Sequence, residues 1–166
     1  MDEDADDIQC ALQKVSLFSD VLTAEQLREL ALDCSPLSFR AGAVLMRQGE
    51  AGGSMFCIRD GLVSITFVGS RQPREIRQLG SDSVVGEIEL LTGGPRLATV
   101  TAVTDVRALE IPKQALEKAF AKAPDLMEGF ASVLAIRQAM LQQIEHEQSG
   151  PLQRGLLRQI RKVFLP

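Results

Sequence analysis

A chain of 166 residues, 45% hydrophobic and 24% charged, holds one globular domain with a real core plus a helical extension. Its net charge of −4 argues against general nucleic-acid binding by the whole chain. The three cysteines, Cys10, Cys34 and Cys57, are dispersed, odd in number and form no CxxC pair, which fits a reduced, cytosolic setting rather than a disulfide framework.

Asp2, Glu3, Asp4, Asp6 and Asp7 crowd the start, where an ordinary signal peptide needs a basic and then apolar opening. No apolar run approaches the roughly 18 residues of a membrane span. Asp7–Lys14 reads as a short helix with Ile8, Leu12 and Val15 on one face, and Leu17–Val21 as a bend. Thr23, followed three residues later by Gln26, is a capping box ahead of a helix whose apolar face is Leu27, Leu30 and Ala31. From Leu37 to Pro112 the pattern changes to eight short β-type runs separated by turn residues. The runs are Leu37–Arg40, Val44–Arg47, Met55–Arg59, Leu62–Phe67, Arg74–Leu79, Val84–Val85, Ala98–Val103 and Val106–Ile111. Eight strands at this spacing predict an α+β fold, an eight-stranded β-roll or jelly-roll barrel with N- and C-terminal helices. Ile88–Leu91 is the one helical insertion. Pro112 stands where the next helix begins, with Gln114–Ala121 continuing it. A further helix runs from Pro124 to about Gln148, with Val133, Ile136, Met140 and Ile144 at helical spacing. Ser149-Gly150-Pro151 breaks it. Leu152–Phe164 then alternates an apolar stripe with Arg154, Arg158, Arg161 and Lys162.

The chemistry concentrates in Val85–Val100, sequence VGEIELLTGGPRLATV. One carboxylate, a short apolar turn, a Gly-Gly-Pro break and one arginine stand together just before a β run. Glu87 can accept a hydrogen bond from a sugar hydroxyl. Arg96 can pair with a phosphate through its planar fork of donors. Backbone amides around Ala98, and at the start of the Ile88–Leu91 turn, can cradle phosphate oxygens. Gly86 lets backbone approach the sugar, and Gly93-Gly94 let the segment close. Each residue also has a plainer role. Arg96 suits a strand-edge salt bridge, and Glu87 a helix start that complements the dipole. Thr99 suits a strand whether or not its hydroxyl reaches a ligand. Glu89 reads as solvated or paired with a nearby base. His146, the single histidine, lies among Glu145 and Glu147 in a polar helix stretch and reads as exposed. One histidine outside the barrel supplies neither a metal site nor a base for a nucleophile, so no catalytic residue, metal or cofactor is expected.

The segment resembles the phosphate-binding cassette of the cyclic nucleotide-binding domain family, the catabolite-activator-like β-roll. The likeness extends from about Leu17 to Leu141. Phe39–Glu50 is similar to the family's opening strands, and Ser54–Ile65 to its next hairpin. Two positions depart from the family's pattern: Leu97 stands where a small residue or threonine is usual, and Val85 where phenylalanine is common. The resemblance implies a non-catalytic sensor that binds cyclic nucleotide through Gly86, Glu87, Ile88, Arg96, Leu97, Ala98 and Thr99. Leu97 lacks the hydroxyl that often favours guanine, so cAMP is expected ahead of cGMP. With no tryptophan or tyrosine in the chain, the base must rest on phenylalanine, arginine or aliphatic groups. The resemblance puts a lid on the helix after the barrel, where Leu134, Arg137 and Leu141 are candidates; the Arg137 guanidinium can stack on a base or stay solvated. It divides the chain into an acidic segment at 1–16, the binding domain with its lid at 17–148, and a basic tail at 149–166.

The tail is similar to those of bacterial cyclic-nucleotide-binding channels of the small mechanosensitive type, so regulation of an ion channel on the cytoplasmic side of a membrane is the first expectation. Membrane contact by the tail and self-association through the C-terminal helix belong to it. The alternative is the sensor module of a catabolite-activator-type regulator, whose DNA-binding domain needs more residues than follow Gln148. A kinase-type regulatory subunit would call for a tandem second cassette, and none is seen.

Overall fold

A computed structural model describes residues 4–69 and 72–145, with side chains through 136. Local capping chemistry starts the first helices. α1 (Ala5–Gln13) begins earlier than its apolar spacing suggests, because the Asp4 side chain accepts a hydrogen bond from the Asp7 amide at 2.9 Å. The expected bend is a single helical turn, α2 (Ser16–Ser19), which buries Leu17 and Phe18. α3 (Ala24–Leu32) opens on the Thr23–Gln26 capping box, with both reciprocal bonds made at 3.2 and 2.9 Å.

The eight strands stand where the turn residues put them, with ends shifted by one or two residues. They are β1 (Ser35–Phe39), β2 (Val44–Met46), β3 (Ser54–Asp60), β4 (Val63–Phe67), β5 (Arg74–Leu79), β6 (Ser83–Val85), β7 (Thr99–Ala102) and β8 (Val106–Pro112). They form two antiparallel four-stranded sheets, ordered β1-β8-β3-β6 and β2-β7-β4-β5. Pro36 falls inside β1. A missing amide donor is tolerated there because β1 is an edge strand paired only with β8. Between β6 and β7 lies α4 (Glu87–Thr92). After β8 come α5 (Lys113–Lys122) and α6 (Leu126–Glu145). Pro112 is the N-cap of α5, with φ −75° and ψ 157°, and still pairs with Ser54 in the sheet.

β3 explains how the layers stack. Its run Met55-Phe56-Cys57-Ile58 is buried on both faces. Phe56 and Ile58 enter the space between the sheets with Met46, Val63, Val85, Val100, Val106 and Ala108. Met55 and Cys57 face the helices, joined by Leu109 and Ile111 of β8. The helix-side core adds Phe18, Phe120 and Phe130, whose rings meet edge to face at 6.3 and 5.6 Å. Leu90 and Leu91 of α4 and Leu134 of α6 share this core, each fully buried side chain contributing about 1.5–3 kcal/mol. The protein is therefore a β-roll of two sheets, with helices laid on the outer face of one.

Among the described residues no helix is long and apolar enough to cross a membrane. Cys34 and Cys57 are buried and unpaired, and Cys10 is exposed. His146 and the basic stretch 152–166 lie outside the described residues.

Candidate functional site

β6 ends against Gly86, where the chain reverses into α4. Gly86 has φ +82°, and Gly93, which closes α4, has φ +78°. Only glycine adopts these angles without strain. Gly86 is needed for a second reason. A Cβ there would stand 2.5 Å from Arg96 Nη1 and 2.8 Å from the Met46 methyl. A Cβ on Gly52, in the β2–β3 loop, would stand 2.9 Å from Arg96 Cζ and Nη1. The guanidinium thus fits against the bare backbone of two glycines.

Arg96 is 6% exposed. Its Nη2 donates to the Ser54 carbonyl at 2.6 Å, and Nη1 to the Gly86 carbonyl at 3.1 Å. Its main chain is tied to the same loop: the Arg96 amide donates to Glu50 O and the Gly49 amide to Arg96 O, both at 2.8 Å. Ala51 and Pro95 form an isolated bridge alongside. Burial pulls the guanidinium below its usual range, while the carboxylates of Glu89, Glu50 and Glu87 push it up. It stays charged at neutral pH.

Two carboxylates are buried beside it. Glu87, the first residue of α4, is 6% exposed. Glu89 is 8% exposed; its Oε1 accepts the Leu97 amide at 3.1 Å, and its Oε2 lies 3.8 Å from Arg96 Nη1. Of the two roles the sequence leaves open for Glu89, the structure takes the paired one, and the base is Arg96.

Gly86, Glu87 and Ile88 enter α4, while Arg96, Leu97, Ala98 and Thr99 lead into β7, so one compact loop brings these residues together. Ile88 packs on the helix-side core, Leu97 is 54% exposed, and Ala98 is half-buried. The Thr99 hydroxyl oxygen accepts the Gln48 amide at 3.0 Å, which fastens the end of β2 to β7. Leu134 is apart from this loop: it is fully buried in the helix-side core that also holds Leu90 and Leu91. Arg137 and Leu141 lie on α6, and their side chains are outside the described residues.

The sequence does not single out Gly52 and Ser54 as partners of Arg96. Their signal was a Gly-Gly-Ser step before a β run, which reads simply as a turn. Taken together, a buried guanidinium oriented by two carbonyls, next to a buried carboxylate, can hold an anion and a hydroxyl of one small ligand.

Residues 36–123 match the family model of the cyclic nucleotide-binding domain. The chain is 30% identical over 130 residues to the CRP-like cAMP-activated global transcriptional regulator of Mycobacterium tuberculosis, covering 76% of this chain and 56% of that one. It is 33% identical over 114 residues to a cyclic nucleotide-gated potassium channel of Rhizobium etli, covering 69% of this chain and 30% of that one. The regulatory domain of Toxoplasma gondii PKA, solved with cAMP, is similar in fold, with a TM-score of 0.67 at 22% identity over 77% of this chain and 49% of that one. The chain therefore spans about half the length of the regulator and less than a third of the channel.

Proposed function

The chain belongs to the cyclic nucleotide-binding domain family, and from that premise we propose that it is a non-catalytic sensor whose ligand is cAMP, ahead of cGMP. The phosphate pairs with Arg96, and a ribose hydroxyl donates to Glu87. Gly86, Ile88, Leu97, Ala98 and Thr99 complete the cassette. The observation that carries this reading is the buried Arg96 guanidinium, oriented by the Ser54 and Gly86 carbonyls and set beside the buried Glu87. The similarity to a cAMP-activated regulator supports the choice of nucleotide, as does the absence of a hydroxyl on Leu97.

The sensing step runs through α4. Leu90 and Leu91 share a core with Leu134, so a tightening of the cassette is transmitted to α6. In this reading α6 serves as the lid, with Leu134 as its buried link to the cassette and Arg137 and Leu141 as the candidates that reach the base. Ligand drives this change only by binding the closed form better than the open one. On this reading residues 17–148 are the binding domain, 1–16 an acidic segment and 149–166 a basic tail. The output is regulation of a bacterial ion channel on the cytoplasmic side of a membrane, with the tail touching anionic lipid or the channel and the C-terminal helix pairing copies. The channel relative supports it. The second reading, a sensor module of a catabolite-activator-type regulator, rests on the regulator relative. Reading the genomic segment upstream of Met1 discriminates the two: membrane spans encoded there would favour the first.

Calorimetry with both nucleotides tests the ligand. One site per chain with roughly micromolar affinity, about −8 kcal/mol, is expected. No heat and no thermal shift at millimolar nucleotide would sink the sensor reading.

A further inference from the structure

The donors that suit a phosphate already hold an anion. The Glu89 carboxylate accepts the Leu97 amide at 3.1 Å and stands 3.8 Å from Arg96 Nη1. Both Glu89 and Arg96 are nearly buried, so solvent screens the pair weakly. Glu89 is not what positions the arginine. Arg96 keeps a 2.6 Å bond to Ser54 O and a 3.1 Å bond to Gly86 O, and its slot is shaped by Gly52 and Gly86. The closest polar contact of Glu89 is the backbone amide beside the arginine, where an incoming phosphate oxygen finds a donor. Glu87 adds a second buried carboxylate. A bound phosphate would join Glu87, Glu89 and Glu50 around one cation, and like charges this close disfavour one another.

We propose that Glu89 is a specificity-determining residue, an internal competitor for the ligand's phosphate. A cyclic nucleotide enters the cassette by displacing the Glu89 carboxylate from Arg96 and the Leu97 amide, so the cassette discriminates against the phosphate charge more than against the nucleoside. This rests on the cassette reading above and names what limits its affinity. Glu89→Gln keeps the side-chain length and the oxygen that accepts the Leu97 amide while removing the charge.

The test is calorimetry of cAMP and of the neutral nucleoside adenosine against the unaltered chain, Glu89→Gln and Glu89→Ala, with melting curves to establish that each is folded. Expected is at least a tenfold gain in cAMP affinity for both variants and less than a twofold change for adenosine; adenosine heat absent from all proteins counts as no change. cAMP bound by the unaltered chain with no gain in the folded variants overturns the competitor role alone. An equal gain for cAMP and adenosine also overturns it, because packing rather than charge is then at work. No cAMP bound by any of the three proteins overturns the cyclic-nucleotide reading itself, and this inference with it.

Discussion

The Arg96 guanidinium is held by the carbonyl of Ser54, 42 positions earlier in the chain, at 2.6 Å. That single contact ties the start of β3 to the loop that leads into β7. Together with the bond to the Gly86 carbonyl at 3.1 Å, it turns an arginine that could swing in solvent into a fixed, partly desolvated cation. Fixing the fork beforehand leaves less rotamer entropy to lose when an anion arrives.

Arg96→Ala removes that cation. Nucleotide binding is expected to weaken by about 2–5 kcal/mol, and Glu87→Ala to cost less, about 1.5–3 kcal/mol, for the loss of one hydrogen bond to a charged group. Titration calorimetry measures both. Equal affinity in the unaltered chain and Arg96→Ala would show that the ligand sits elsewhere.

Gly52→Ala tests the slot without touching the arginine. The new Cβ would meet Arg96 Cζ and Nη1 at 2.9 Å, so the guanidinium must shift within its slot, which strains its bonds to the Ser54 and Gly86 carbonyls. A loss of roughly 1–3 kcal/mol in folding stability is expected from overpacking. Affinity should fall with it. Unchanged melting and affinity would mean that the slot is not tight in solution.

Lid movement is read by hydrogen exchange. Ligand should slow exchange in α6 (Leu126–Glu145) together with residues 86–100, because Leu134 shares its core with Leu90 and Leu91. Protection confined to residues 86–100 would make α6 a static spacer.

The buried thiols give a prediction independent of the ligand. Burial pushes Cys34 up to about 12, aided by Cys57 and Asp33. Burial likewise pushes Cys57 up to about 12, with Asp82 adding to the effect and Arg59 opposing it. At pH 8 a thiol reagent should modify the exposed Cys10 alone, and all three cysteines only after denaturation. The unfolded chain releases these thiol protons near pH 8.5 while the fold retains them. Stability is thus whole below that pH and falls as pH rises towards 12, by about 1.4 kcal/mol per pH unit per thiol. Rapid modification of Cys34 or Cys57 in the folded chain would contradict their burial.

Much of the architecture was legible in the residues themselves, because the signals are local. Glycine, proline and aspartate punctuate the β runs, and the Thr23–Gln26 capping box closes within four residues. The cassette is contiguous, so Gly86, Glu87 and Arg96 could be read together from their order in the chain, with the resemblance supplying their roles. What the sequence left open depends on neighbours far along the chain. α2 is a helical turn rather than a bend, with Leu17 and Phe18 buried in the helix-side core and Phe18 against Phe130. Pro36 is tolerated in a strand because β1 lies at a sheet edge. β3 lacks a period-two pattern because both of its faces are covered. The partners of Arg96 at Gly52 and Ser54 appear only when the β2–β3 loop packs against the cassette, and the choice of Arg96 as the base for Glu89 appears only when the turn after α4 brings the two side chains together. Backbone periodicity and capping act over a few residues and leave a mark in the sequence, whereas desolvation and charge pairing act through space and are decided by which segments the fold brings within a few ångströms.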